Sequence, residues 1–367
     1  MLQKKLSVLL VLLVFSINTF CQNKDMSVIA YYAGDAAQLE KYPVEKLTHI
    51  IFCFGNLKGN ELNIVGAPAK ATIKKMVDLK KRNPQLKLIL SLGGWGGCQT
   101  CSDVFSSAKN REAFALSVKK VSETYQTDGI DLDWEYPAIL GFPLHKFKPA
   151  DKENFTELIK QLRKTLAKKY EISFAAGGFD NYIDSSVEWD KVMPIVDRVN
   201  LMSYDLVNGY DSVSGHHTPL YSTKRQERST DHAVLRLISA GVPANKIVIG
   251  AAFYARLWQN ESTSDDGLYQ RSKFKKSISY KSFDQELSKE NGFVYHWDQQ
   301  AQAPYSYNAG KKIFGTYDDK RSIELKTKYV LDHGLDGIMF WQLALDTYDN
   351  GLLDEIYKVK ENNKKVK

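Results

Sequence analysis

The chain has 367 residues and a net charge of +7, with 43% hydrophobic and 25% charged residues. That length can bury one large core or two ordinary domains, and that balance excludes a disordered, collagen-like or many-span membrane chain. The positive excess is modest and gathers in the tail KVKENNKKVK, so no nucleic-acid partner is expected.

In chain order, residues 1–21 read as a secretory signal. Lys4 and Lys5 precede an apolar run from Leu6 to Phe15 that is short for a membrane span, and a polar stretch follows. Cleavage is expected after Cys21; a lipid anchor on Cys21 is the weaker alternative, because the bulky Phe20 precedes it. Removal takes away two lysines and no acid, so the net charge falls from +7 to +5. The expected destination is extracellular or periplasmic, and no later stretch of sequence is long and apolar enough to cross a bilayer. Cys98 and Cys101, in CQTC, have metal or redox spacing, but no second Cys or His pair lies at a zinc-site distance, so no metal is expected. In an exported chain the pair is open to a short disulfide. Cys53, in THIIFCFGN, reads as a small core residue.

Short β-rich runs then alternate with helical patterns. Strands are predicted at 27–32, 47–54, 86–92, 129–135, 171–177, 198–204, 246–253 and 337–342. Between them lie helical stretches such as NREAFALSVKKVSETYQ, DKENFTELIKQLRKTLAKKY and DHAVLRLISAG, the last closed by Gly241 and Pro243. Eight strands with interposed helices predict an α/β fold, a parallel sheet closed into a (β/α)8 barrel. The aromatic and polar segment 258–316 is too long for a simple connection. It predicts a small α+β subdomain inserted between strand 7 and its helix, the barrel being 22–257 and 317–367. A monomer is expected.

The stretch DGIDLDWEYP, residues 128–137, places Asp131, Asp133 and Glu135 at alternate positions with Ile130, Leu132 and Trp134 between them. Acids are depleted in strands, and like charges aligned on one face, about 6.7 Å apart, repel. In a barrel, side chains at the C-terminal ends of strands project into the mouth, where reactions are carried out. A column of core-facing acids cannot be fully charged, and one carboxyl stays protonated near neutral pH, as a general acid must. Ordinary glycosidases place two carboxyls on opposite sides of the bond they cut. Asp133 and Glu135 share one side, so the nucleophile comes from elsewhere; an N-acetyl group on the substrate would serve, with Asp133 stabilising the amide.

These elements resemble the family 18 glycoside hydrolases, the chitinases and their relatives. Asp128, Asp131, Asp133 and Glu135 match the DxxDxDxE signature; LSLGGW (90–95), LMSYD (201–205), GHHTPLY (215–221), AAFYARLW (251–258) and DGIMFWQLALD (336–346) match further elements in order. The resemblance implies Glu135 as acid and then base, Asp133 turning to bind the acetamido nitrogen, Asp131 supporting it, and Tyr204 donating to the acetamido oxygen. It implies Met202 and Asp205 lining the same pocket, Trp341 as floor under the sugar, and Trp95 as platform on the leaving-group side. Tyr210, Tyr254 and Arg256 are expected cleft contacts, Tyr32 and Phe54 are expected to pack below, and Gly94 either touches substrate or permits close strand packing. His216 and His217 are expected to shape a loop. No cofactor is implied, and the implied partner is a polysaccharide or oligosaccharide of N-acetylglucosamine. An endo-β-N-acetylglucosaminidase, a cell-wall amino-sugar hydrolase and a non-catalytic lectin stay open. AAGGF (175–179) and Gln342 depart from the family pattern.

Overall fold

The structure, a computed structural model, describes residues 25–366, and the expected signal segment lies outside them. The eight barrel strands are β1 (Ser27–Tyr32), β2 (His49–Lys58), β3 (Lys87–Gly93), β4 (Gly129–Asp133), β5 (Glu171–Gly177), β6 (Arg198–Met202), β7 (Ile247–Ala252) and β8 (Gly337–Trp341). Each pairs in parallel with the next, and β8 returns to β1 through Ser27–Gly337 and Ala30–Phe340, which closes a (β/α)8 barrel.

The strands are apolar on both faces because both are covered. Residues such as Val28, Ile50, Leu88, Ile130, Leu132, Phe174 and Ile338 face outward into a core shared with the helices. Ile29, Tyr31, Ile51, Ile89, Val248 and Met339 face the barrel interior. The helix Asp151–Leu166 shows how the outer layer closes: Phe155, Leu158, Ile159, Leu162 and Leu166 recur on one face and are buried. The helix Lys320–Asp332 starts on a reciprocal cap between Asp319 and Ser322.

Between β7 and that helix stands a five-stranded antiparallel sheet, in the order 272–279, 254–260, 313–316, 303–308, 294–298. Its first strand begins at Tyr254, so the boundary expected at 258 falls inside it. Phe253 still donates its N–H to Trp341 O (2.9 Å) and stacks on Phe340, and the chain leaves the barrel directly after it. Tyr254 and Arg256 therefore project from the inserted sheet over the barrel mouth. Among the described residues no helix is long and apolar enough to cross a membrane.

Candidate active site

The odd-numbered acids of β4 point into the barrel, as their alternation requires, while Ile130, Leu132 and Trp134 join the outer core. Asp131 is fully buried. Its Oδ1 accepts from Ser173 Oγ (2.7 Å) and Asn200 Nδ2 (3.0 Å), and its Oδ2 from Ser91 Oγ (3.0 Å) and the Tyr31 hydroxyl (3.1 Å). Burial pushes its pKa up, and these four donors act against the rise. Asp133, also buried, has an Oδ1 without a hydrogen-bond partner. Burial, then the charges of Glu135 and Asp131, raise Asp133 well above the carboxylate range. Glu135, past the strand end, is pushed up to about 7, by burial first and by the negative Asp205 in addition. The Tyr136 phenol favours its charged form. The upper column thus has both carboxyls shifted toward their protonated forms and an acceptor free to turn to a ligand. Asp128 stands apart at the foot of the strand, taking the Leu88 N–H (2.7 Å) and pairing with Lys80.

A second group crosses from the inserted sheet. Asp205, held at φ 56° after β6, receives the Tyr254 hydroxyl (2.7 Å) and both arms of the Arg256 guanidinium. Burial would raise its carboxyl, but Arg256 and then His217 hold it below the usual range. His217 is fully buried with Nδ1 3.4 Å from Asp205, and His216 pairs through Nε2 with Asp298 (3.1 Å). His217 thus belongs to the site's surroundings and not only to a loop. Tyr204 is buried beside the column, edge-on to Tyr254 at 6.2 Å. Met202 is half-buried in the interior cluster with Tyr204 and Met339.

Trp341 ends β8 as a half-buried plate, stacked on Phe54 (5.7 Å, 16°) and tilted against Tyr31 (6.1 Å). Gly94 takes φ +78°, and a Cβ there would lie 2.4 Å from the Phe54 ring. The structure thus favours the packing role for Gly94: it lets Phe54 lie under Trp341. Trp95, 47% exposed, meets Phe142 edge-on at 5.5 Å, with Tyr210 at 6.4 Å.

Tyr32 requires a correction. It lies in the outer core, its hydroxyl donating to Asp35 O (2.5 Å), and the interior tyrosine of β1 is Tyr31. Strand parity puts the neighbour one position earlier inside. Ser91, Ser173, Asn200 and Tyr31, the donors around Asp131, were not singled out in the sequence. Their signal was available as polar side chains at barrel-facing positions within apolar strands. Gln342 takes the N–H groups of Ala33 (3.0 Å) and Ala344 (3.3 Å), joining the ends of β1 and β8. Cys98 and Cys101 form a disulfide, and Cys53 is free at the mouth of β2. Among the described residues no group of three or more His, Cys, Asp or Glu is arranged to hold a metal ion.

Comparison with known proteins agrees with this geometry. The model of the glycosyl hydrolases family 18 matches residues 27–346. The chain is 35% identical over 303 residues to chitinase A1 of Niallia circulans, covering 76% of this chain but 43% of that protein's length. It is 29% identical to mouse chitotriosidase-1, over 84% of this chain and 69% of that one. In three dimensions it resembles a family 18 N-acetylglucosaminidase from Paenibacillus barengoltzii, with TM-score 0.83, 34% identity, and coverage of 91% of this chain and 100% of the other. A closed barrel with an acid column on its fourth strand and a family match over nearly all the described residues lead to one assignment: the chain belongs to family 18 of the glycosyl hydrolases.

Proposed function

We propose that the protein is an exported hydrolase of β-1,4-linked N-acetylglucosamine chains, chitin or chito-oligosaccharides, acting with retention at the anomeric carbon. The observation that carries the reading is the acid column: Glu135 with a pKa of about 7 above a buried Asp133 whose Oδ1 is unpartnered.

Glu135 gives its proton to the glycosidic oxygen as the bond to C1 breaks, and the leaving sugar departs as an alcohol. The acetamido oxygen of the remaining sugar closes on C1 from the opposite face, forming an oxazolinium ion. Asp133 turns its free oxygen to accept the amide N–H and orients the acetamido group for its attack on C1. Asp131, fixed by four donors, supports Asp133 from beneath. Tyr204 donates to the acetamido oxygen and Met202 lines the pocket. Trp341 offers a flat apolar floor to one pyranose face. Glu135, now a carboxylate, takes a proton from water, which attacks C1 from the side the leaving group vacated. Two displacements restore the starting configuration.

Trp95 and Tyr210 flank the leaving-group side, and Asp205, Tyr254 and Arg256 form the wall toward the inserted sheet. That wall suits a polymer better than a branched glycan. Export is supported by the signal-like residues 1–21 and by the Cys98–Cys101 disulfide, a bond favoured in oxidising compartments. The test is a fluorogenic chitobioside with the mature protein: wild type releases product and Glu135→Gln does not. Binding by wild type without product would favour a lectin. The full-length likeness to an N-acetylglucosaminidase favours a second reading, removal of single sugars, and the product ladder from chitohexaose separates it from internal cleavage.

A further inference from the structure

We infer that the Cys98–Cys101 disulfide is a positioning element for Trp95, fixing the leaving-group side of the cleft; the inference rests on the reading of Trp95 as a sugar platform. Trp95 rides on a loop with little intrinsic stiffness. Gly93, Gly94 and Gly96 take φ of +109°, +78° and +88°, and Gly97 follows. Glycine on both sides leaves the backbone free to redirect the indole. The ring meets Phe142 (5.5 Å), Tyr136 (6.4 Å) and Tyr210 (6.4 Å), and these contacts leave Trp95 47% exposed.

What closes the loop lies beneath it. Gly97 donates its N–H to Gly94 O (2.8 Å), and a Cβ on Gly97 would lie 2.0 Å from Gly93 O, so the chain doubles back tightly on the end of β3. Cys98 Sγ rests against Gly93, 3.2 Å from where a Cβ would stand. Cys98 and Cys101 are buried in the outer core with Phe105 and Trp134, and Cys101 opens the short helix Cys101–Phe105. The disulfide thus ties the far end of a glycine-rich loop to the start of a helix and packs against the end of β3.

Cys-x-x-Cys spacing also suits a thiol–disulfide exchange site, but such a site needs a sulfur that a partner thiol can reach. Here the two residues are 2% and 0% exposed. Nor is the bond placed for global stability. It spans a sequence separation of 3, and the shortest loops constrain the unfolded chain least. Its effect is local, and the local cargo is Trp95.

The experiment compares wild type, Cys98→Ala/Cys101→Ala and Trp95→Ala as mature proteins on chitohexaose and on chitobiose oxazoline. The oxazoline enters the reaction after the leaving group has gone and does not use Trp95. The expected result for the double variant is a KM for chitohexaose ~3–10-fold higher, with oxazoline hydrolysis within about 2-fold of wild type. Trp95→Ala should move the same parameter further. An unchanged chitohexaose KM in the double variant, while Trp95→Ala raises it, overturns the inference. Equal losses on both substrates also overturn it, because the bond would then support the catalytic strand. If Trp95→Ala leaves the chitohexaose KM unchanged, the platform reading itself falls. Cys98→Val/Cys101→Ala provides a second packing of the vacated space should the first variant fold poorly.

Discussion

The two ends of the barrel interior bury acids in opposite ways. At the N-terminal end Glu171 meets Lys87, His49 (3.0 Å) and Arg198 (2.5 Å), and Arg198 also reaches Asp336 (2.9 Å). Burial alone would raise the Glu171 carboxyl, but His49, Arg198 and Lys87 hold it far below the usual range. At the C-terminal end no cation is near enough to figure among the causes that shift Asp133 and Glu135, and burial raises both. Burial is therefore common to both ends, and the presence of a counter-charge sets the direction of the shift. The paired end closes the barrel. The unpaired end favours the protonated form, which the proposed reaction needs.

The largest expected effect breaks the unpaired end. Glu135→Gln keeps the shape but removes the exchangeable proton, so kcat on chito-oligosaccharides should fall by ~10²–10⁴-fold while ligand binding survives in calorimetry. Next, Arg198→Ala should damage stability and leave chemistry alone. It removes the cation shared by Glu171 and the buried Asp336 and so breaks a buried ion pair, which costs about 3–5 kcal/mol in denaturant unfolding, with kcat per folded molecule near wild type. Glu171, depressed in the fold, contributes stability that is present above the ordinary carboxylate pKa of 4.5 and lost as pH falls below it, so wild type should unfold more readily in acid. Arg198→Ala should flatten that acid limb. As the proposed acid, Glu135 must be protonated in the free enzyme, so kcat/KM should be full in mild acid and decline through a midpoint near pH 7. The smallest effect sharpens this point. The Asp205 charge raises Glu135, so Asp205→Asn should shift the alkaline limb of the normalised profile to lower pH.

Much of the contrast was legible in the sequence. The period-two alternation of DGIDLDWE fixed which β4 side chains face inward, and the spacing of eight apolar runs fixed the barrel. Tyr31 and Tyr32 were harder, because two adjacent tyrosines at a strand end give no parity signal, and the register against β2 and β8 decides it. The start of the inserted sheet was hidden for a related reason: AAFYARLW runs from barrel strand to inserted strand with no glycine or proline between them. Ser91, Ser173 and Asn200 were visible singly as polar residues in apolar strands. Their convergence on Asp131 arises from three different strands and is a product of closure. CQTC was compatible with a disulfide or with free thiols, and the turn in which Cys101 donates its N–H to Cys98 O (3.1 Å) brings the two sulfurs together.

The central claim is that the substrate's own amide displaces the leaving group while Glu135 supplies the proton. Time-resolved NMR of the anomer released in the first moments of chito-oligosaccharide cleavage tests it most directly. The β-anomer should appear first and then mutarotate; the α-anomer as initial product would contradict the account.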